Sequence, residues 1–206
     1  KFRKSKFKFV ECKTCFTVFV NPRPSAILLE KFYSSSKCMN YWAKIYEKTE
    51  KSRIKNIFQP RLRLVKKILK ENRIHKINNL VEVGAGYGWF CKLAQKDKLA
   101  NSIIAIEPSV VTSKICEKIS GLKVINSTIE KIPNLNADVI VNFELIEHLF
   151  EPKPFLKACY DGLKSNGLLI LTTPNYLGLD IQILNKRHES VFAPNHLNFF
   201  NPKSLS

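Results

Sequence analysis

The feature that most constrains the fold of this chain is a short apolar strand that runs directly into a glycine-rich loop. The stretch from Val81 to Phe90 carries glycines at every second position of the loop, Gly84, Gly86 and Gly88. Glycine lacks a Cβ atom, so the backbone can turn sharply out of a strand and leave room for a ligand at the start of the next helix. The stretch therefore predicts a strand–loop–helix unit of an α/β sheet, with a ligand at the loop.

The spacing of the glycines indicates which ligand this is. A dinucleotide site requires G-x-G-x-x-G, so that a pyrophosphate sits on the helix N-terminus, whereas here the third glycine comes one residue early. This spacing argues against NAD and FAD. Glu107 ends the next apolar segment, 19 residues after Gly88, close to the roughly 20 expected for a carboxylate that accepts hydrogen bonds from a ribose. The two features together predict a nucleoside cofactor.

With Glu82 two residues before the first glycine, this pattern resembles the class I S-adenosylmethionine-dependent methyltransferases. The resemblance implies a Rossmann-like α/β sheet with helices on both faces, and S-adenosylmethionine as the cofactor. It also implies cofactor contacts from seven residues: Glu82, Gly84, Gly86 and Gly88 at the methionyl end, Glu107 at the ribose, and Thr128 and Ile129 at the adenine.

Downstream of the loop, short apolar strands alternate with helices. The sequence predicts strands over 80–83, 103–106, 122–125, 137–142 and 168–172, with helices over 87–98, 110–119 and 154–163. Short apolar strands without polar alternation are covered on both faces, which is typical of a parallel α/β sheet. The family sheet has two more strands, an antiparallel hairpin, and the resemblance implies that these follow Ser206.

Two smaller regions precede this domain. Residues 1–24 alternate like a β-hairpin, and residues 25–76 are predicted to be helical, with Ser25 as an N-cap and a basic amphipathic helix ending near Asn72. In the family such helices cap the cofactor cleft. We therefore expect a partial zinc-ribbon-like hairpin (1–24), a helical cap (25–76) and the cofactor-binding domain (77–206).

Cys12 and Cys15 have the C-x-x-C spacing of a zinc knuckle. Two such thiolates can share a zinc ion, but a closed structural site needs a second pair of ligands. Cys38 stands alone, so the second pair is expected upstream of Lys1 or the motif is vestigial. A redox role is disfavoured, because a redox C-x-x-C opens a helix after a strand. This hairpin resembles the N-terminal module of bacterial methyltransferases that act on sugars, which implies a sugar or nucleotide-linked sugar as acceptor.

A second group of reactive residues follows the fourth predicted strand. In a helix, Glu144, Glu147 and His148 would share one face, where they could transfer protons or hold a divalent cation. The arrangement resembles the metal-binding motif of ubiquinone-pathway O-methyltransferases. The resemblance implies magnesium at these three residues, as an alternative to His148 or Glu144 acting as a base. Packing against the sheet edge is the purely structural alternative.

His196 is the other candidate base. It lies in a loop-rich segment and in a stretch that looks like the H-x-x-x-F segment of sugar-methylating relatives; a surface or turn histidine is the structural alternative. Methyl transfer is a direct displacement, and an alcohol or an activated carbon acid needs a base that an amine does not. O- or C-methylation is therefore favoured over N-methylation.

Composition excludes several classes of protein. The chain is 45% hydrophobic and 11% aromatic over 206 residues, which excludes a disordered protein, and no apolar run reaches the roughly 18 to 20 residues of a membrane span. Without a signal peptide, we expect a cytoplasmic protein. The net charge of +17 is densest over 44–76 and fits a solvated helix face better than a nucleic-acid surface. An RNA methyltransferase and a non-catalytic cofactor-binding module stay open as alternatives; the acceptor, the metal content and the oligomeric state are not fixed by these patterns.

Overall fold

The computed structural model describes residues 7–25, 27–29, 45–46, 48–184, 187–188, 190–191, 193 and 195–205. The chain divides into two units. The sheet unit comprises Ser36–Asn142 and Lys153–Leu171, and the hairpin unit comprises Lys1–Ser35, Phe143–Pro152 and Thr172–Ser206.

The regular elements are numbered here in chain order. The strands are β1 (Lys8–Glu11), β2 (Val18–Asn21), β3 (Asn79–Val83), β4 (Ser102–Ile106), β5 (Val124–Ile125), β6 (Ala137–Phe143), β7 (Leu163–Thr172) and β8 (Asn198–Phe199). The α-helices are α1 (Gln59–Glu71), α2 (Trp89–Lys96), α3 (Val110–Ser120), α4 (Pro152–Gly162), α5 (Leu179–Leu184) and α6 (Pro202–Leu205). A π-helical turn, Ile54–Phe58, precedes α1, and 3-10 turns cover Ile129–Lys131 and Ile146–His148.

The sheet unit is organised around five strands in the order β5-β4-β3-β6-β7. The central strand β3 pairs in parallel with β4 and with β6, and Leu80 lies opposite both Ile103 and Val139. This is the strand order of a doubly wound fold. From β3 the chain adds β4 and β5 on one side and then β6 and β7 on the other, so the order of the strands reverses between β3 and β6. Ligands of such sheets bind outside the carboxyl ends of the strands at that reversal point. The predicted α/β fold class and its five strands are confirmed.

Burial explains why these segments form a parallel sheet. All but one of the seven residues of β6 are buried, and a strand covered on both faces needs helices on each side. The helix α1 buries Val65 and Leu69 and half-buries Arg61, and its other basic residues are exposed: Arg63, Lys66, Lys67 and Lys70. Lys66 forms a surface ion pair with Asp97 at 2.7 Å. The exposed basic residues of α1 therefore form a solvated face, as the sequence predicts, and the helix is capped at the expected residue, Asn72.

The hairpin unit contains the predicted β1–β2 pair, with Phe9 opposite Val20. The strand β8 adds to β2 in antiparallel fashion, with Phe199 opposite Val18. The sequence predicts a loop rather than β8, because two residues are too few to show a strand pattern. Ser25 is confirmed as an N-cap by a 3.2 Å hydrogen bond from the Leu28 N–H to its Oγ; most of the helix predicted to follow it lies outside the described residues.

Within the described ranges, no helix is both long enough and apolar enough to cross a bilayer.

Candidate active site

The glycine loop adopts a backbone that residues with a side chain rarely adopt. Gly84, Gly86 and Gly88 have φ angles of 71°, 55° and 74°, in the left-handed region that glycine enters without strain. At Gly88 the reason is also steric, because a Cβ atom there would lie 2.6 Å from Sγ of Cys116. The last glycine thus allows α3 to pack closely against the start of α2.

Glu107 is held directly beneath this loop. One carboxylate oxygen accepts a 3.0 Å hydrogen bond from the N–H of Gly86, and the other accepts a 3.0 Å hydrogen bond from the N–H of Ser109. Burial raises the pKa of Glu107, and these two backbone donors oppose that rise. The side chain predicted to bind the ribose is therefore fixed to the loop predicted to bind the methionyl end.

Glu82 lies on the face of β3 that contacts α2. It is 3% exposed, and Sγ of Cys91 donates a 2.8 Å hydrogen bond to its Oε2. Burial raises the pKa of Glu82 to about 8, while the Cys91 hydrogen bond and the charge of Arg61 oppose the shift. At neutral pH this carboxyl is mostly protonated, so contact with the cofactor ammonium would require it to ionise.

The two residues predicted at the adenine lie after β5. Thr128 is exposed and immediately precedes the 3-10 turn that begins at Ile129. Ile129 is buried, only 2% exposed. A contact with adenine from this segment would come from Thr128 or from backbone, and the assignment stays a prediction.

An aromatic group beside the loop was not predicted from the sequence. Tyr87 and Trp89 flank Gly88, and the ring of Tyr46 lies 5.1 Å and 5.9 Å from theirs. The guanidinium of Arg53 stacks over Tyr46 at 4.2 Å, a favourable cation–π distance. Burial raises the pKa of Tyr87, and Tyr46 and Glu107 contribute to the rise. The sequence does contain a signal for this group, since Tyr87 interrupts the glycine run and Trp89 directly follows it.

The segment after β6 differs from the predicted helix. Glu144 has a φ angle of 52°, which interrupts a right-handed helix, and only Ile146–His148 form a short 3-10 turn. The N–H of Glu144 donates to the carbonyl of Thr172 at 2.9 Å, and its Oε1 accepts a 2.8 Å hydrogen bond from the Thr172 hydroxyl. The expectation that Glu144, Glu147 and His148 share one helical face is therefore wrong.

Three side chains of the hairpin unit do converge. Glu147, His148 and His196 each place one donor atom within 4.8 Å of the others. The Nε2 atom of His148 lies 3.8 Å from Oε1 of Glu147, and the two imidazole rings meet edge to face at 4.5 Å. The structure thus brings both candidate histidines, His148 and His196, close to Glu147. Glu144, the other candidate, is not a member of this cluster.

Hydrogen bonds orient the cluster. Oε2 of Glu147 accepts from the hydroxyl of Thr173 at 2.9 Å. Nδ1 of His148 lies 2.8 Å from the carbonyl oxygen of Asn195. A carbonyl can only accept, so Nδ1 carries the proton and Nε2 is the basic nitrogen. The backbone N–H of Leu197 also donates to the Glu147 carbonyl at 2.8 Å, which ties the turn to the segment that carries His196.

Both imidazoles are neutral at physiological pH. Burial lowers the pKa of His148, opposed by the Asn195 carbonyl and the charge of Glu144. Burial, with a smaller contribution from His148, lowers the pKa of His196 to about 4, opposed by the Ser190 backbone. Neutral imidazoles can accept a proton or bind a metal ion.

Cys12 and Cys15, predicted to form a zinc knuckle, lie in the turn between β1 and β2. The N–H of Phe16 donates to the carbonyl of Cys12 at 2.9 Å, and backbone hydrogen bonds from Cys15 and Thr14 lower the pKa of Cys12. A lowered pKa favours the thiolate that zinc requires. Cys38 lies outside the described residues, and within them these two thiols are not joined by a third ligand.

Comparison with known proteins identifies the class to which this fold and this loop belong. Residues 49–206 match the family model described as a methyltransferase domain. The chain therefore belongs to this methyltransferase domain family.

Individual relatives agree with this assignment. A probable S-adenosylmethionine-dependent methyltransferase of Mycobacterium tuberculosis is 28% identical over 100 residues, covering 47% of this chain and 36% of that protein. The ubiquinone biosynthesis O-methyltransferase of Rickettsia prowazekii is 31% identical over 153 residues, covering 71% of this chain and 58% of that protein. The chain thus spans between about a third and three fifths of the length of these two relatives.

Solved structures share the fold. A Thermotoga maritima protein described as a SAM-dependent methyltransferase, possible histamine N-methyltransferase, has a TM-score of 0.61 at 26% identity, covering 80% of this chain and 73% of that chain. The plantazolicin methyltransferase BpumL, in complex with SAH, has a TM-score of 0.59 at 13% identity, covering 80% and 63% of the two chains. The second likeness concerns the fold alone. The predicted resemblance to class I S-adenosylmethionine-dependent methyltransferases is confirmed.

Proposed function

We propose that this chain transfers the methyl group of S-adenosylmethionine to a hydroxyl oxygen or an activated carbon of a small molecule. The observation that carries the proposal is the convergence of Glu147, His148 and His196 in a methyltransferase domain. A hydroxyl or a carbon acid must lose a proton as it is methylated, whereas an amine already has a lone pair. Two neutral imidazoles therefore favour O- or C-methylation.

The roles of the residues follow from their hydrogen bonds. His148 is the first candidate base, because the Asn195 carbonyl fixes the proton on Nδ1 and leaves Nε2 as the basic nitrogen. His196 is the second, and Glu144, exposed at the end of β6, is the third. Glu82, Glu107 and the glycine loop are proposed to hold the cofactor, whose sulfonium supplies an electrophilic methyl group.

For the acceptor we propose a sugar or a nucleotide-linked sugar. The support is the Cys12–Cys15 hairpin, which resembles the N-terminal module of sugar-methylating enzymes. The rickettsial relative is named as an O-methyltransferase of ubiquinone biosynthesis, and it supports an oxygen acceptor of any small-molecule type. Phenols should therefore be assayed as acceptors beside sugars.

Magnesium does not fit the residues that the sequence assigns to it. Magnesium prefers oxygen ligands in near-octahedral geometry. Glu144 is hydrogen-bonded to Thr172, and the donors that do converge include two imidazoles. No step of the proposed reaction involves magnesium. At the N-terminal hairpin, Cys12 and Cys15 suit zinc chemically and supply half of a structural site.

Isothermal titration tests the cofactor. We expect S-adenosylmethionine and S-adenosylhomocysteine to bind and NADH, the control nucleotide, not to bind. Binding of NADH, or binding of none of the three by a folded chain, would contradict the assignment of the glycine loop.

Transfer of tritiated methyl from S-adenosylmethionine tests the acceptor. We expect incorporation into nucleotide sugars or phenols and not into histamine. His148→Gln should lower the rate by roughly 10²- to 10⁴-fold, the range for loss of a general base, with unchanged cofactor affinity. His188→Gln is the matched control, because His188 pairs with Asp180 at 3.2 Å and is not a member of the cluster. Histamine methylation that survives His148→Gln would overturn the proposal.

The alternatives have separate outcomes in the same experiments. RNA methylation would require the basic face of α1, where Lys66 and Lys67 form ion pairs with Asp97 and Glu71. An electrophoretic shift of RNA at physiological salt would support that alternative. Tight cofactor binding without transfer to any acceptor would support a non-catalytic module.

A further inference from the structure

We propose that Arg23 is a positioning residue of the candidate active site, which acts through Asn198 on the turn that carries Glu147 and His148. The inference rests on the proposed function, in which His148 is the first candidate base. Arg23 follows the end of β2 by two residues and is half-buried. It precedes Pro24, and a residue before proline is restricted to extended backbone. The guanidinium therefore extends from a constrained position of the chain.

Two nitrogens of this guanidinium bond to two different segments. Nη2 donates a 2.7 Å hydrogen bond to Oδ1 of Asn198, and Nη1 donates to the carbonyl of Phe150. The positive charge also lies over the rings of Phe150 and Phe19, 5.6 Å and 5.8 Å from their centroids, within the range of a cation–π contact. Phe19 is the residue opposite Asn198 in the β2–β8 pair. Arg23 thus joins the hairpin and β8 to the segment that follows His148.

The turn after β6 is held by its backbone carbonyls. The Glu147 carbonyl accepts from the N–H of Leu197 at 2.8 Å, and the Leu149 carbonyl accepts from Nδ2 of Asn198 at 2.7 Å. Asn198 is only 2% exposed, and one end of its amide bonds to the turn while the other end bonds to Arg23. Arg23 itself holds the next carbonyl along the chain. The turn and the segment 197–198 are therefore connected through one network that includes Arg23.

This network fixes the position of the candidate base. His148 donates from Nδ1 to the Asn195 carbonyl at 2.8 Å, and His196 is the next residue of that segment. A shift between the turn and the segment would change this hydrogen bond and the edge-to-face contact of the two imidazoles at 4.5 Å. A displacement of about 1 Å can cost roughly 100-fold in rate. The planar fork of Arg23 opposes such a shift, because it bonds two acceptors at once.

Histidine side-chain NMR tests the inference without any activity. The chain has four histidines, so each ring can be assigned by replacing the histidines with Gln in turn. In the unmodified chain we expect His148 to show one protonated and one unprotonated ring nitrogen, the signature of a single tautomer. Arg23→Gln should move these two ¹⁵N shifts toward each other, because the ring then exchanges between tautomers. The matched control is Arg187→Gln, at an exposed arginine of the same unit, which should leave the shifts unchanged.

Kinetics separates positioning from folding. Arg23→Gln should lower kcat for methyl transfer by roughly 10- to 100-fold. The KM for S-adenosylmethionine should stay unchanged, because the proposed cofactor contacts belong to the sheet unit. Arg23→Lys keeps the charge but lacks the planar fork. We expect it to fold like the unmodified chain, as followed by circular dichroism, and to recover kcat and the His148 shifts only in part.

A double-mutant cycle tests the route through Asn198. Arg23→Gln and Asn198→Leu in one chain should lower kcat by less than the product of the two single effects, because both residues belong to one hydrogen-bond network. Effects on kcat that multiply in full would contradict this route.

The inference is overturned if folded Arg23→Gln shows the His148 shifts of the control variant. Full recovery of kcat and of the shifts in Arg23→Lys would also overturn it, because a positive charge alone would then suffice. If Arg23→Gln does not fold, Arg23→Lys decides the question by the same two readouts. Failure of the proposed function is separate: if no methyl is transferred, or if transfer survives His148→Gln, the NMR shifts still decide whether Arg23 positions the ring.

Discussion

A carboxylate oxygen of Glu107 accepts a 3.0 Å hydrogen bond from the backbone N–H of Gly86, 21 residues earlier in the chain. The bond joins the end of β4 to the loop that follows β3. Because the second carboxylate oxygen is held by Ser109, the side chain has little rotational freedom. The proposed ribose contact is thus positioned before the cofactor arrives.

Glu107→Ala should weaken the binding of S-adenosylmethionine. Losing hydrogen bonds to a charged group costs about 1.5 to 3 kcal/mol, and the loop also loses its contact at Gly86. Isothermal titration measures the effect, with Glu130→Gln, an exposed acid of the same unit, as the control. An affinity equal to that of the unmodified chain would remove Glu107 from the cofactor site.

Gly88→Ala should destabilise the fold more than Gly86→Ala. Both positions have positive φ angles, which cost about 1 to 2 kcal/mol with a Cβ atom. Only at Gly88 would the new atom also meet Sγ of Cys116 at 2.6 Å, whereas at Gly86 nothing lies within 4 Å. Chemical denaturation compares the two variants. Similar losses would contradict the close packing of α3 on this loop.

The free energy of unfolding should fall as the pH rises from 4.5 to about 8, because Glu82 ionises over this range. Burial raises its folded-state pKa from 4.5 to about 8. As the pH rises, Glu82 therefore ionises at a lower pH in the unfolded chain than in the folded one. The contribution of protonated Glu82 to the free energy of unfolding is fully present below pH 4.5 and is lost as the pH rises to about 8. At about 1.4 kcal/mol per pKa unit, the loss is a few kcal/mol.

Glu82→Gln should flatten this dependence between pH 5 and pH 8, as measured by denaturant unfolding at both pH values. Cys91→Ala is the companion variant. It removes a hydrogen bond that lowers the pKa of Glu82, so the decline in stability should extend to higher pH. Identical pH profiles for the unmodified chain and Glu82→Gln would show that Glu82 is not the group responsible.

Asn142→Leu should stabilise the protein. The side chain is fully buried at the end of β6, and neither its oxygen nor its nitrogen has a hydrogen-bond partner in the described part of the chain. Replacing such a group by an apolar one of similar shape removes a desolvation cost of about 1 to 3 kcal/mol. Thermal unfolding measures the gain. A loss of stability would mean that an ordered water satisfies the amide.

Much of the sheet could be predicted because its signals are local. Short apolar runs such as Ile103–Ile106 and the glycines of the loop carry their own evidence, and they appear where expected. The division into three regions at residues 24 and 76, and the individual cofactor contacts, stay predictions.

The candidate active site was harder to predict, because it depends on contacts between distant segments. No local pattern brings His196 to Glu147, 49 residues away. The left-handed conformation of Glu144 is equally invisible in a motif whose spacing suits a helix. The Arg53 stack on Tyr46 was missed for a similar reason, since periodicity says nothing about which residues cover a loop.

The pairing of Val18 with Phe199 has a consequence during synthesis. A ribosome adds about 180 residues between them, which at about 5 to 20 residues per second takes roughly 10 to 36 s. During that time the β1–β2 hairpin has emerged without its third strand, and an isolated two-stranded hairpin is only marginally stable. Its apolar residues Val18 and Val20, buried in the finished protein, are exposed on the nascent chain until β8 emerges.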